Sequence, residues 1–180
     1  MKIVALLAGL MIAGVASTAS AEVVQTSAAG FQLRSVAVLE EAEAHEAWSA
    51  LSRWGEWWSS DHTYSGDAAH LTLSMEAGGC LCEIWPGGRI EHGRVLLAWP
   101  AQGMLRLNAP FGPLQAQPVT AILTYTIQAR EAGGVEVIQT LAVGGGDETT
   151  AALAEGVDFV MSDGLARFER FVETGSADPG

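Results

Sequence analysis

Basic residues are scarce in this sequence. Its 180 residues include 9 lysines and arginines against 21 aspartates and glutamates, which gives a formal net charge of −12. Binding to a nucleic-acid backbone depends on clustered positive side chains, and no such cluster occurs along the chain. The composition therefore excludes a nucleic-acid-binding protein.

Charged residues are few overall, at 17% of the chain, whereas 49% of the residues are hydrophobic and six are tryptophan. Disordered chains instead have many charged residues and few hydrophobic ones. A chain of this length usually forms one domain. We therefore expect a single globular domain with a substantial apolar core.

A hydrophobic run long enough to cross a membrane is also missing. The apolar run from Ile3 to Val15 is shorter than the roughly 20 residues that span a bilayer. It follows Lys2 and precedes the small residues Ala19 and Ala21, as in a secretory signal peptide. We predict that residues 1–21 are cleaved after Ala21, that the protein is exported to the periplasm or secreted, and that it has no stable membrane anchor.

Cysteine is limited to Cys80 and Cys82. On a strand the two would share a face with Cα atoms about 6.5–7 Å apart, at or past the usual limit for a disulfide. We therefore expect two free thiols or one strained bond. A Cys-x-Cys pair supplies only two of the four ligands of structural zinc, so we expect no metal.

Motifs of known chemistry are missing as well. The chain has no G-x-S-x-G element, and the triple glycine at 144–146 is followed by Asp147 and Glu148 where a phosphate would bind. We therefore expect no cofactor. Asp61, His62, Asp67 and His70 share a polar loop, a pattern that favours the mouth of a cavity over a metal site because nothing fixes a ligand geometry.

The pattern of apolar residues predicts an α+β domain over residues 31–175, between a flexible lead (22–30) and a disordered tail (176–180). A first strand at 31–39 leads into two short helices, at 41–53 and 56–58. Six strands separated by short turns then form an antiparallel meander. A long amphipathic helix follows at 151–172, with Thr149 or Thr150 as its N-cap. The six strands are 69–75, 79–86, 89–99, 103–109, 119–130 and 134–143.

The apolar stripe of the last helix includes Met161, Leu165 and Phe168. Only the concave face of the sheet is large enough to bury it. We therefore predict a seven-stranded antiparallel sheet curved around a long C-terminal helix.

This order of elements resembles the START-like or SRPBCC superfamily with its helix-grip fold, and within it the branch named after the activator of the heat-shock-chaperone ATPase. The resemblance rests on Trp57-Trp58, on Gly78-Gly79 with Leu81, Glu83 and Trp85, on Gly93-Arg94-Val95, and on the end of the last helix. It implies an internal cavity into which Leu81, Glu83 and Trp85 point.

The hairpin around Gly87-Gly88 predicts a polar cluster. With those glycines as the turn, Glu83 lies opposite His92, and Arg94 shares their face. The three side chains either fix the register of the strands or anchor a ligand. We predict a ligand site formed by Glu83, His92, Arg94, Leu81, Trp85, Trp58, Met161 and Leu165.

Three functions are compatible with this site. The first is binding of a small amphipathic or apolar molecule between the sheet and the last helix. The second is a cyclase- or hydrolase-like enzyme that uses Glu83 and His92 as acid and base. The third is the co-chaperone role that the branch name implies, which the signal peptide argues against because that partner is expected in the cytosol.

Overall fold

The computed structural model describes residues 20–179 and folds them into one antiparallel sheet of eight strands with helices on one side. The strand order is β1-β2-β8-β7-β6-β5-β4-β3. The predicted α+β class, the antiparallel sheet and the C-terminal helix are confirmed. The strands are β1 (Ser20–Ser27), β2 (Gly30–Leu39), β3 (Leu71–Leu73), β4 (Cys80–Trp85), β5 (Gly88–Trp99), β6 (Met104–Asn108), β7 (Thr120–Ala129) and β8 (Val135–Gly144).

The predicted count of seven strands is wrong, because the segment expected to be a flexible lead forms a strand. Residues 22–27 belong to β1, which pairs antiparallel with β2 through a tight turn before Gly30. Their small and polar side chains suit an edge strand, which is solvated on one side. The proposed signal-peptide cut after Ala21 falls near the start of β1, and residues 1–19 lie outside the described part of the chain.

The helices are α1 (Ala44–Ser52), α2 (Trp54–Trp57), α3 (Glu148–Ala151) and α4 (Ala154–Thr174). The predicted N-cap at Thr149 or Thr150 is wrong. Asp147 caps the segment instead, because its carboxylate accepts hydrogen bonds from the backbone amides of both threonines. At the other end Gly175 adopts a left-handed conformation, with φ of 79°, and stops α4.

Helix α4 packs across β1, β2, α1 and α2. Its buried face meets three tryptophans, Trp54, Trp57 and Trp58, none more than 5% exposed. The ring of Trp57 meets Phe168 edge-on at a centroid distance of 5.3 Å. Arg167 of α4 donates from Nε to the backbone oxygen of Trp57 at 3.0 Å, which fixes α2 against the long helix.

The C-terminal tail contacts α4 over its described residues. Ala177 is buried, and its backbone oxygen accepts a hydrogen bond from Arg170 at 2.9 Å. Asp178 pairs with Arg167 at 2.9 Å. Two arginines of α4 therefore hold the tail against the helix. Among residues 20–179, no helix is long and apolar enough to cross a membrane.

Two glycines of α4 differ in the space around them, and they provide a test of this packing. A Cβ atom at Gly164 would lie 2.4 Å from Cζ3 of Trp58, whereas one at Gly156 would meet nothing within 4 Å. We expect Gly164→Ala to lower the free energy of unfolding by about 1–3 kcal/mol through overpacking. Gly156→Ala should leave it unchanged or raise it by up to about 1 kcal/mol. Chemical denaturation of both variants checks this, and equal effects would contradict the placement of Trp58 against α4.

Candidate functional site

A cavity of about 490 Å³ lies between α4, the segment after α2 and the loop after β6. Its wall is mainly apolar. One side is formed by Val157, Val160 and Met161 of α4, and the facing side by the rings of Trp58 and Phe111. These two rings are stacked at a centroid distance of 6.1 Å with an interplanar angle of 23°, so this side of the cavity is aromatic.

The most buried charged group near the cavity is Glu83 of β4, which is 0% exposed. Its carboxylate accepts hydrogen bonds from the backbone amides of Tyr64 at 3.1 Å and Ser65 at 2.5 Å. It also accepts one from Nε2 of His92 at 2.8 Å. The buried carboxylate therefore has three donors from two separate parts of the chain, as buried charges require.

These donors keep Glu83 ionised. Burial raises the pKa of Glu83, but hydrogen bonds from Ser65, Tyr64 and His92 lower it by more, so the pKa lies below its ordinary value of 4.5. A carboxylate that accepts several N–H bonds is stabilised in its charged form. Glu83 is thus an anion that holds both the 64–65 loop and the His92 ring.

His92 is 5% exposed and lies in the cavity wall. Its ring lies 5.7 Å from that of Tyr64 and 6.4 Å from that of Phe111, measured between centroids. Since both of these residues also line the cavity, the imidazole connects the buried carboxylate to the cavity. The predicted pairing of Glu83 with His92 is present, but it arises from a different strand register.

The predicted hairpin turn is wrong by one residue. Pro86 and Gly87 form the turn, Trp85 pairs with Gly88, and Glu83 lies opposite Ile90. The two glycines of this hairpin instead make room for the indole of Trp85, which a Cβ at either position would approach to 2.9 Å. Glu83 and His92 are diagonal neighbours, and their long side chains meet across that diagonal.

The register changes again next to His92. Cys82 pairs with Glu91 but Leu81 pairs with Gly93, so His92 is the extra residue of a β-bulge in β5. A bulge reverses the alternation of side chains beyond it. For this reason the prediction for Arg94 is wrong: it points away from the cavity, is exposed, and pairs with Glu91 and with the backbone oxygen of Gly78.

Cys80 and Cys82 form a disulfide, which removes both thiolates from any metal site. Their Cα atoms are 5.4 Å apart, closer than the distance expected for an extended strand. The contraction coincides with the irregular pairing between Leu81 and Cys82. The bond therefore lies directly opposite the bulge that carries His92.

The other predicted ligand residues are divided between the cavity and the core. Trp58, Met161 and His92 line the cavity. Leu81 and Leu165 are 0% exposed and belong to the core, and Trp85 is half-buried over the hairpin turn. Glu83 does not line the cavity and lies behind His92, to which it is hydrogen-bonded.

Several cavity residues are absent from the sequence-based set. Phe111 and Pro113 come from the Pro-Phe-Gly-Pro segment, which appears in the sequence only as a separator between strands. Tyr64 lies within the polar loop. The aromatic character of Phe111 and Tyr64 could have indicated these two residues in the sequence. Large aromatic side chains in a loop usually bury their rings against another part of the protein.

Only the first part of the polar loop lines the cavity. Asp61 and His62 line the cavity. His70 instead bonds to the hydroxyl of Ser65 at 2.9 Å, and Asp67 caps the short turn before it. Among the described residues, no group of three or more His, Cys, Asp or Glu side chains could hold a metal ion.

The lowered pKa of Glu83 predicts an acid-dependent loss of stability. A carboxyl whose pKa is lower in the folded state stabilises the fold above its unfolded value near 4.5, and this contribution is lost as the pH falls through the folded pKa. Glu83→Gln should lower the free energy of unfolding at pH 7 by about 1–3 kcal/mol, because an amide cannot accept from all three donors.

The difference between wild type and Glu83→Gln should begin to shrink as the pH falls below about 4.5, where the unfolded carboxyl takes up a proton. It should be lost as the pH passes through the lower pKa of the folded state, below which both side chains are uncharged. Urea denaturation across this range measures it. A difference that stays constant with pH would show that the ionised form of Glu83 does not support the fold.

Comparisons with known proteins identify the fold. No protein-family model and no curated protein matches the sequence. Among solved structures, the chain is similar to the conserved protein of unknown function EF2215 from Enterococcus faecalis, with a TM-score of 0.63 and 12% identity over 89% of this chain and 80% of that one. CalU16 from Micromonospora echinospora matches with a TM-score of 0.53 and 15% identity, covering 92% and 87%.

The Aha1 dimer from Colwellia psychrerythraea is similar at a TM-score of 0.51 and 15% identity, covering 80% of this chain and 97% of that one. At these identities the likeness concerns the fold alone. Together with the antiparallel sheet and α4, it shows that the chain has a helix-grip fold.

Proposed function

We propose that this protein binds a small amphipathic or apolar molecule in the cavity between its sheet and α4. The observation that carries the proposal is the cavity itself, whose volume of about 490 Å³ falls within the range of small-molecule sites. Its wall is apolar except for a few polar groups, the usual composition of a site that holds a ligand's body by burial and its head by hydrogen bonds.

The position of His92 supports this assignment. It is a polar side chain in an aromatic wall. The hydrogen-bond network behind it includes the buried carboxylate of Glu83 and two loop amides. A network that served only to fix the strands would not need a ring at the cavity surface. Its place there fits a group that orients a ligand.

Export is part of the proposal. It rests on the signal-peptide pattern of residues 1–21 and on the Cys80–Cys82 disulfide, since disulfides persist in oxidising compartments. N-terminal sequencing of the exported protein should begin at or near Glu22. A co-chaperone role in the cytosol conflicts with this export, and the likeness to Aha1 carries the fold only.

An acid–base enzyme is the second candidate, and the 2.8 Å contact between His92 and Glu83 favours it. A carboxylate-backed imidazole at a water-poor wall is suited to proton transfer. Turnover that is lost in both Glu83→Gln and His92→Phe, with ligand still bound, would favour this function over simple binding.

Native mass spectrometry of protein purified from the exporting cell tests the binding function most directly. We expect a co-purified small molecule that dissociates on unfolding. Protein that carries no such molecule and does not bind an uncharged apolar dye, N-phenyl-1-naphthylamine, would contradict the proposal.

A pair of matched substitutions tests the location of the site. Val160 lines the cavity, whereas Val172 is a half-buried valine on the same helix, about 18 Å further along. Val160→Phe should weaken binding of the dye by about tenfold or more because it fills the cavity, and Val172→Phe should change it by less than about threefold. Fluorescence titration measures both. Equal effects would place the dye elsewhere.

A further inference from the structure

Among residues 20–179, the second ring nitrogen of His92 has no hydrogen-bond partner. Nε2 bonds to Glu83, and no hydrogen bond of these residues involves Nδ1. Asp158 Oδ1 is the one fully buried side-chain nitrogen or oxygen of the described residues that lacks a partner. Nδ1 is therefore not sealed inside the protein, and His92 lines both this cavity and a second one that includes Arg89 and Arg94. We assign Nδ1 to the first cavity.

The carboxylate decides the hydrogen-bonding character of that nitrogen. Glu83 is an acceptor toward Tyr64, Ser65 and His92, so in the neutral form of the imidazole the proton is on Nε2. Nδ1 then holds a lone pair. In this form His92 offers the cavity a hydrogen-bond acceptor, which suits a ligand with a hydrogen-bond donor.

The charges around the cavity argue against an anionic ligand. Among residues 20–179, no lysine or arginine lines the cavity, while Asp61 does and Glu83 lies behind His92. The remaining titratable groups in the wall are His62 and Tyr64. A carboxylate or phosphate placed there would lose its hydration and meet like charge, at a cost of several kcal/mol.

The aromatic character of the wall adds a third restriction. Trp58 and Phe111 line the cavity, and the ring of His92 lies 6.4 Å from that of Phe111 between centroids. A flat apolar ligand that packs against these aromatic residues is brought close to His92. Aromatic rings favour such offset-stacked contacts.

We propose that the cavity selects uncharged, flat apolar molecules that carry a hydroxyl donor, and that this donor bonds to Nδ1 of His92. This inference rests on the proposed binding function and specifies its ligand class. This selectivity would distinguish the protein from carriers of fatty acids or phospholipids, whose ligands have an anionic group.

Three naphthalenes that differ in one substituent test the inference on the wild-type protein at pH 7. They are 2-naphthol, which donates a hydrogen bond, 2-methoxynaphthalene, which cannot, and 2-naphthoate, which is an anion. Titration calorimetry should give an affinity for 2-naphthol about tenfold or more above that for 2-methoxynaphthalene, which corresponds to about 1.4 kcal/mol. Binding of 2-naphthoate should be the weakest of the three.

Two variants assign the selectivity to a residue. His92→Phe keeps a ring in the wall but removes the acceptor, so the preference for 2-naphthol over 2-methoxynaphthalene should fall to within about twofold. Tyr64→Phe, the control, removes the other nearby polar group and should leave the preference intact. If selectivity is lost in Tyr64→Phe and kept in His92→Phe, His92 is not the acceptor and the inference is wrong.

The wild-type series also separates this inference from the binding function. Equal affinity for the three compounds would overturn the selectivity and still support an apolar ligand site. Tightest binding of 2-naphthoate would show that the cavity supplies a positive charge, and would overturn it too. No binding of any of the three would contradict both proposals.

Discussion

The buried carboxylate of Glu83 connects the parts of the molecule on which the site depends. It lies on β4, accepts from two amides of the loop that follows the tryptophan cluster, and holds the imidazole of β5. Each of those partners would be free to move without it. A buried charge is costly unless it is fully paired, so the fold has to keep these three segments together, and the cavity wall takes its shape from that requirement.

The tryptophan cluster is the apolar counterpart of this network. Trp54, Trp57 and Trp58 pack ring against ring at centroid distances between 4.5 and 5.8 Å. Trp57 and Trp58 also satisfy their indole N–H groups with backbone oxygens, of Ala50 and His62 respectively. The cluster faces the core on one side and the cavity on the other, so the cavity is bounded by groups that are already fixed by packing and hydrogen bonds.

Much of the architecture could be predicted from the sequence because apolar periodicity determines elements independently of their partners. The meander, the α1–α2 pair and α4 follow from it. The pairing of Glu83 with His92 was also predicted, although for a reason that proved incomplete. The two glycines at 87–88 indicated the position of the turn, whereas the turn is Pro86-Gly87 and both glycines make room for the Trp85 indole. The bulge at His92 then restored the contact and turned Arg94 outward.

The remaining differences arise from tertiary contacts that leave no local pattern. Residues 22–27 have no strong strand signal and become a strand only because β2 offers an open edge. The tail after Gly175 is polar and short, but two arginines of α4 secure it. Phe111 lines the cavity because the loop after β6 folds over it, which depends on the whole sheet.

Most disulfides stabilise a protein by restricting its unfolded chain, whereas the disulfide between Cys80 and Cys82 acts mainly on the folded structure. A cross-link between residues two positions apart closes too small a ring to remove much conformational freedom from the unfolded chain, which is the main source of stability for bonds that close long loops. Its effect is confined to the folded strand, where it shortens β4 opposite the bulge of β5. Oxidation of this pair therefore acts on the course of one strand, beside the bulge that carries His92, with little influence on the overall balance between folded and unfolded chains.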